Sequence, residues 1–413
     1  MPLSNEDNLR LNVLMAQQVK AVRIDEGKML LYALTSKGEA KITLSPNEKN
    51  DRYLKQIRDF LSTKVLGIAG GFPVYISHWN RLGEARGNNL DKLLLLGEDA
   101  AIIAVVNSRE LTAELASSAW WAYQSADNAR SMLVNKHVVK AEIGKQLAQF
   151  LLEFLPFEED PDNMLQSVRL VLQGELIDED EKLKLWNKAK TKNTLYIGFL
   201  DTLPDKIPQP LQAHKNYSEI KAKLADLLDK NNIYAKSLCH LLSDTGQTFI
   251  HTAQLAFKRP PNQLVYAALI ESIRRYSHNL QQNIENNSVV AEQGFLHEYS
   301  LGLRNNGEIE TDLGKIVTLC EDLFDRAEEV INTPSETIER KNMQSLYEVL
   351  AVFPQLKQQC LAIFILSQTS QSVTFPIFSQ SNAVGTLMRK RLKPITDEIT
   401  SRLKNLQHFS LDE

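Results

Sequence analysis

The chain has 413 residues, 43% hydrophobic and 24% charged, with 47 Lys and Arg against 51 Asp and Glu. A formal net charge of −4 and a pI near 6.1 exclude the basic excess that a general nucleic-acid or anionic-membrane surface needs. The length suits two or three domains whose cores require neither disulfides nor metals.

The opening MPLSNEDNLRLNVLM has no basic segment followed by an apolar run, so no secretory signal is predicted. Residues 19–45, VKAVRIDEGKMLLYALTSKGEAKITLS, read as three short strands joined by tight turns at Glu26-Gly27 and Lys37-Gly38, where glycine supplies positive φ. Ser45-Pro46-Asn47-Glu48 reads as a helix start, with Ser45 as cap, Pro46 in the first position and Glu48 returning to the cap. The helix behind it places Tyr53, Leu54, Ile57, Phe60 and Leu61 on one stripe. A fourth strand, FPVYISHW at 72–79, is expected after Gly70-Gly71, with His78 and Trp79 at its rim. The predicted N-terminal unit is therefore a small α+β domain over 1–88, a helix on a short antiparallel sheet.

From Leu90 the period becomes helical. Asp160 and Pro161 open a helix with Met164, Leu165, Val168, Val171 and Leu172 facing inward. Residues 311–331 form another, with Leu313, Ile316, Val317, Cys320, Leu323, Phe324, Ala327 and Ile331 in register, and Thr333-Pro334-Ser335-Glu336 opens the next. Pro204, Pro208 and Pro210 resist both helix and central strand, so 204–217 is the predicted linker between a helical block at 89–203 and a C-terminal helical domain at 218–413. No fixed repeat period is seen, which leaves irregular helical repeats open.

Trp120 and Trp121 stand side by side in a predicted helix at 108–123. Neighbours on a helix point about 100° apart, so they cannot share a face. Leu111, Leu115, Ala119 and Ala122 form one apolar side. Trp120 falls opposite, above Ala113 and Ala116, and is expected to fill a groove against a second helix. Trp121 shares its arc with Glu110, Glu114 and Ser117. It is either a third packing contact or, with Glu110 and Glu114, a protein-contact site.

Other chemistry-bearing residues read structurally. Glu158, Glu159, Asp160 and Asp162, and Asp178, Glu179, Asp180 and Glu181, each sit where a helix dipole favours acids, and neither group has the spacing of a calcium loop. LGIAGGFP at 66–73 lacks the Lys-Ser/Thr pair of a phosphate loop and is expected to lead into a strand, so it reads as a turn. Cys239-His240 and His251 lack a recurring ligand spacing, and no metal or cofactor is predicted. Cys239, Cys320 and Cys360 lie on apolar stripes, which predicts buried reduced thiols. Arg389, Lys390, Arg391 and Lys393, before Pro394, could contact an anion, but no stacking aromatics interleave them and Asp397 and Glu398 follow. A solvated helix end is the expectation, and nucleic acid is disfavoured. The longest apolar runs, such as LAIFIL at 361–366, fall far short of a membrane span.

EDNLRLNVL at 6–14, DKLLLLGE at 91–98, AWWA at 119–122, FLPFEEDP at 154–161 and GELIDEDEKLKLWNKAKTKNTLYIGFL at 174–200 resemble the DsrS family. These proteins are encoded with the reverse-acting dissimilatory sulfite reductase genes of sulfur-oxidising bacteria. The resemblance spans roughly the first half of the chain. It implies a soluble cytoplasmic accessory of sulfur oxidation, sometimes called a sulfur reduction protein, whose partners are other proteins of that system. It implies no reaction, cofactor or catalytic residue. Persulfide carriage would need exposed, activated cysteines, which the apolar settings of the three thiols disfavour. The expectation is a non-catalytic interaction protein. The alternatives are an enzyme or small-ligand binder with a site between helical blocks, and a nucleic-acid-linked regulator using 389–393.

Overall fold

Side chains at alternate positions of the first strands face opposite ways, and both sets find cover. The structure, a computed structural model, describes residues 3–75, 89–279, 304–305, 308–309, 312–326, 338–379 and 383–411. Strands β1 (Val19–Asp25), β2 (Leu30–Thr35) and β3 (Gly38–Thr43) form an antiparallel sheet in the order β1-β2-β3. On one face Val22, Leu31 and Ala33 pack against helix α1 (Asn5–Met15) and helix α2 (Asn50–Leu66), through Leu11, Leu14, Tyr53, Leu54, Ile57 and Leu61. Ser4 caps α1, and the Tyr53 hydroxyl donates to buried Asp7 at 2.7 Å, tying the two helices together.

Three local readings change here. In the first turn Met29, not Gly27, takes the left-handed conformation, at φ 51°, while Asp25 accepts from the Lys28 amide at 3.0 Å. The second turn follows expectation, with Gly38 at φ 118°. Helix α2 starts at Asn50 rather than Pro46 because 44–45 still belong to the sheet side. The Leu44 amide bonds to the Met29 carbonyl at 2.9 Å, and the Ser45 backbone hydrogen-bonds the Tyr53 hydroxyl. Residues 71–75 are helical, so the expected strand at 72–79 is not formed there; 76–79, with His78 and Trp79, lie outside the described residues.

The chain divides into two compact units, Met1–Phe157 with Gly174–Ile177, and Glu158–Gln173 with Asp178–Glu413. In the first, the helices Asp99–Val106, Ala113–Ala122, Ala126–Leu133 and Glu142–Phe154 follow the sheet, and Ala113–Ala122 packs on the second face of β1. Among the described residues, the regular structure of the second unit is helical apart from the two-residue strands Arg304–Asn305 and Glu308–Ile309. Residues 204–217 lie inside it. Prolines keep this run out of helix, yet it is bound down by Leu211 N to Thr248 Oγ1 at 2.8 Å and His214 N to the Leu242 carbonyl at 2.9 Å.

LAIFIL belongs to the helix Lys357–Gln368, in which Gln359 to Ser367 are all buried. A helix apolar all round is the centre of a bundle, and this one packs against Gln263–Asn279, Leu313–Asp325 and Gly385–Gln407. Among the described residues no single helix is long and apolar enough to cross a membrane. Gly385–Gln407 runs straight through Pro394, where a break was expected. Met388, Leu392, Ile395, Ile399, Leu403 and Leu406 are buried along its whole length. At roughly 1.5–3 kcal/mol for each large apolar side chain, that stripe outweighs the roughly 3 kcal/mol cost of an internal proline. The Leu313–Asp325 helix buries Leu313, Ile316, Cys320 and Phe324, while 327–337 lie outside the described residues.

Candidate functional site

Thr112 caps the tryptophan helix, which begins at Ala113 rather than before Glu110. Leu111 is buried from the preceding turn, and Leu115 and Ala122 are only half-buried. Trp120 is buried as expected, edge-on to Phe150 of the Glu142–Phe154 helix with ring centres 4.9 Å apart. Trp121 turns towards the sheet. Its Nε1 donates to Glu39 Oε2 at 3.1 Å, and the Arg23 guanidinium lies 5.1 Å from its ring and 4.7 Å from the Tyr32 ring. Arg23 also pairs with Glu39 at 3.4 Å. A cation held between two aromatic faces and tied by a carboxylate is a stiff arrangement. Glu114 is exposed in the first turn of this helix, about 10 Å along the axis from Trp121, and Glu110 is exposed in the turn before it; neither joins Trp121.

Arg23 and Tyr32, with Ile24, Asp25, Lys28, Gly97, Asp99, Ile102, Ala122 and Tyr123, also line a cleft of about 420 Å³ in the first unit. Alternation along the strands brings Arg23 and Tyr32 to one face, where they are opposite partners. The short loop back from 94 is pinned to β1 by the Val22 amide on the Leu94 carbonyl at 2.8 Å, which sets Gly97 and Asp99 at the mouth. Lys28 Nζ reaches Asp25 at 3.3 Å, and the Lys28 contacts hold the Asp25 carboxyl below its usual value, chiefly through the Lys28 amide. Sequence reasoning missed this site. The alternating Arg23, Tyr32, Glu39 and Lys41 were its available signal, but their meeting with Trp121 spans about eighty residues of chain.

The glycine-rich 66–73 segment leads into a helical turn, contrary to expectation, and amides at its start do meet an anion. That anion is internal. The Phe72 amide donates to the Glu98 carboxylate at 3.2 and 3.4 Å, while burial raises the Glu98 carboxyl above its usual range against that bond. Gly71 has φ +69°, and a Cβ there would lie 2.2 Å from Glu98 Oε1, so only glycine allows the approach.

In the second unit His240 Nε2 lies 2.8 Å from Asp205 Oδ1 and 2.7 Å from the Tyr276 hydroxyl, which itself donates to Asp205 at 2.8 Å. An ionised carboxylate only accepts, so Nε2 carries the proton and, in the neutral ring, Nδ1 keeps the lone pair. Burial by itself would raise the Asp205 carboxyl, but the His240 ring and the Tyr276 hydroxyl outweigh it and hold it below the ordinary Asp value of 3.8. A depressed carboxyl contributes stability above its unfolded value and loses it as pH falls through the lowered native value. Asp205→Asn is therefore expected to melt below wild type at neutral pH, with the gap closing below about pH 3.8. Calorimetric melting across pH 2–7 checks this, and a gap that stays constant would refute it.

The remaining candidates serve the fold. Asp160 caps Pro161–Leu172, and Asp178 with Glu181 forms a complete capping box on Glu179–Lys188. Cys239, Cys320 and Cys360 are buried free thiols; burial pushes Cys239 up to about 11, Cys320 up to about 12, and Cys360 upward as well. Among the described residues no group of three His, Cys, Asp or Glu side chains could hold a metal ion. On Gly385–Gln407, Arg389 donates to the Pro260 carbonyl at 3.4 Å and Lys393 pairs with Asp397, while Lys390 and Arg391 are exposed. Comparison with protein-family models, with curated protein sequences and with solved structures finds no match.

Proposed function

We propose that the chain is a non-catalytic cytoplasmic accessory protein that binds other proteins, in the setting of dissimilatory sulfur oxidation that its resemblance to the DsrS family implies. The observation that carries this reading is the cleft beside β1, whose Arg23 is held by the Trp121 and Tyr32 rings. Its arginine and lysine are already paired with Glu39 and Asp25, and aromatic rings border it. Rigid rings beside fixed charges are what a recognition surface uses. The buried thiols support binding rather than persulfide transfer. The test mixes the purified chain in turn with each soluble protein of a sulfur-oxidising cell's sulfite-reductase system and follows elution and melting. One co-eluting partner, weakened by Trp121→Ala, is the expected result. Unchanged elution and melting with every one of them would end the proposal.

A second reading, an enzyme or small-ligand binder, draws on the Asp205–His240–Tyr276 cluster. An imidazole oriented by a carboxylate is the arrangement a general base uses. Activity that disappears in His240→Gln with the melting temperature unchanged would favour it over the first.

A further inference from the structure

In the second unit the loop before Gln263–Asn279 is tied to the start of Gly385–Gln407. The Gly385 amide donates to the Pro261 carbonyl at 3.4 Å, Gln263 Nε2 to the Ala383 carbonyl at 3.3 Å, and Arg389 to the Pro260 carbonyl at 3.4 Å. These bonds bring together two pairs of bases that are far apart in the chain, Lys258 with Arg259 and Lys390 with Arg391. All four are exposed, and among the described residues none pairs with a carboxylate. Beside them large aliphatic side chains stand in solvent: Leu264 and Val384 are each 65% exposed and Leu387 is 55% exposed. On the helix Leu387 shares a face with Lys390 and Arg391, one turn further on.

Neither feature serves the fold. Bases gathered without acids repel one another, and the first turn of Gly385–Gln407 has no acid to set against the positive end of its dipole. Grouped aliphatic side chains left in water mark a contact surface, whereas single ones need no explanation.

The outline of the charge selects the occupant. Asn262 donates to Asp162 Oδ1 at 2.9 Å, so the start of Pro161–Leu172 adjoins the same loop, with Glu159 and Asp160 exposed just before it. A bilayer or a nucleic-acid duplex is broad, and laid on the bases it would meet these acids as well. A single nucleic-acid strand wants stacking rings, and this face offers aliphatic chains instead. One polypeptide segment is narrow enough to follow the bases and the aliphatic side chains alone. We propose that Arg259, Lys390 and Arg391, with Leu264, Val384 and Leu387, dock an acidic amphipathic segment of a partner protein, its carboxylates on the bases and its apolar side chains on the aliphatic ones. This rests on the reading of the chain as an interaction protein and gives it a surface in the second unit, whereas the cleft beside β1 belongs to the first.

The experiment uses the full chain and a labelled peptide of about four helical turns, with leucines along one face and glutamates elsewhere. Fluorescence anisotropy should show saturable binding. Lys390→Glu combined with Arg391→Glu should weaken it about tenfold, the size of two exposed ion pairs turned to repulsion. Leu387→Ser should weaken it about fivefold. These side chains are exposed, so the variants should melt with wild type. Trp121→Ala should leave the affinity as it is. The competing occupants are represented by the same peptide with serine for leucine, a DNA duplex, and vesicles of phosphatidylserine and phosphatidylcholine in equal parts. Any of these binding as tightly as the leucine peptide would overturn the proposal, as would failure of the leucine peptide to saturate. A partner protein that co-elutes with wild type and equally with the Lys390→Glu, Arg391→Glu variant would also overturn it, and would leave the interaction reading intact.

Discussion

Replacing Gly246 by alanine is expected to lower the stability of the second unit by about 3 kcal/mol or more, at the upper end of overpacking effects. The helix Ile233–Leu242 ends at Leu242, and Ser243 alone separates it from Asp244–Phe257. Such a corner is held by a few exact bonds. Ser243 Oγ accepts from the Gly246 amide at 3.3 Å, and Gln247 Nε2 donates to the Leu241 carbonyl at 2.9 Å and the Leu406 carbonyl at 3.1 Å. A Cβ on Gly246 would stand 2.3 Å from the His240 carbonyl oxygen and 2.5 Å from both the Leu241 Cα and carbonyl oxygen. These are backbone atoms, so no rotamer change relieves the clash. Either the corner opens and the Gln247 bonds are lost, or the helix start shifts. Calorimetry should show the transition of this unit falling by roughly 6–12 °C. Gly314→Ala is the control. Its Cβ would meet only the Asp312 side chain, at 3.3 Å, and it should stay within about 1 kcal/mol of wild type. Equal melting of Gly246→Ala and wild type would show that the corner is not the constraint its geometry indicates.

The second large effect is expected at Asp201, whose side chain is 3% exposed. Its carboxylate accepts from Arg169 Nε at 2.6 Å and also binds Arg275 and Ser272. Arg169 belongs to Pro161–Leu172, Asp201 to Thr194–Thr202, and Ser272 and Arg275 to Gln263–Asn279, so one buried anion joins three helices. Asp201→Ala leaves two guanidiniums facing each other without a counter-ion. Breaking a fully buried ion pair typically costs 3–5 kcal/mol. Arg169 and Arg275 are 39% and 36% exposed and can recover part of their hydration, which reduces the expected loss to about 2–3 kcal/mol. Melting should fall by roughly 5–10 °C. A cycle with Arg169→Met separates the pair from simple truncation, and a coupling above about 0.5 kcal/mol is expected. Strict additivity would mean that the carboxylate acts by packing alone.

Much of the architecture was legible because it is local. The helix starts at Asp160 and Asp178 could be read from a cap followed by acids, and the central burial of 361–366 from a run with no polar face. The errors fell where a distant segment reassigns a local signal. Ser45-Pro46 has every mark of a helix start, yet Leu44 and Ser45 are bound by Met29 and Tyr53. Pro394 has every mark of a break, yet the buried stripe on both sides of it carries the helix through. The glycines at 70–71 announce a turn, but not that the turn exists to bring an amide to Glu98.

By itself the sequence determined the fold class, a small antiparallel sheet followed by helices, because periods of two and of 3.6 residues are properties of neighbouring positions. It also determined the buried state of the three thiols, since each sits on an apolar stripe. Only the tertiary structure decided where Trp121 goes. Its partners Arg23, Glu39 and Tyr32 come from strands far away in the chain, and a contact between segments that carry no shared pattern leaves no trace in either. The same holds for the edge of β1, where the Val22 amide is taken by the Leu94 carbonyl. Whether an amide in a strand is paired depends on which segment lies beside it, and that is a property of the assembled sheet.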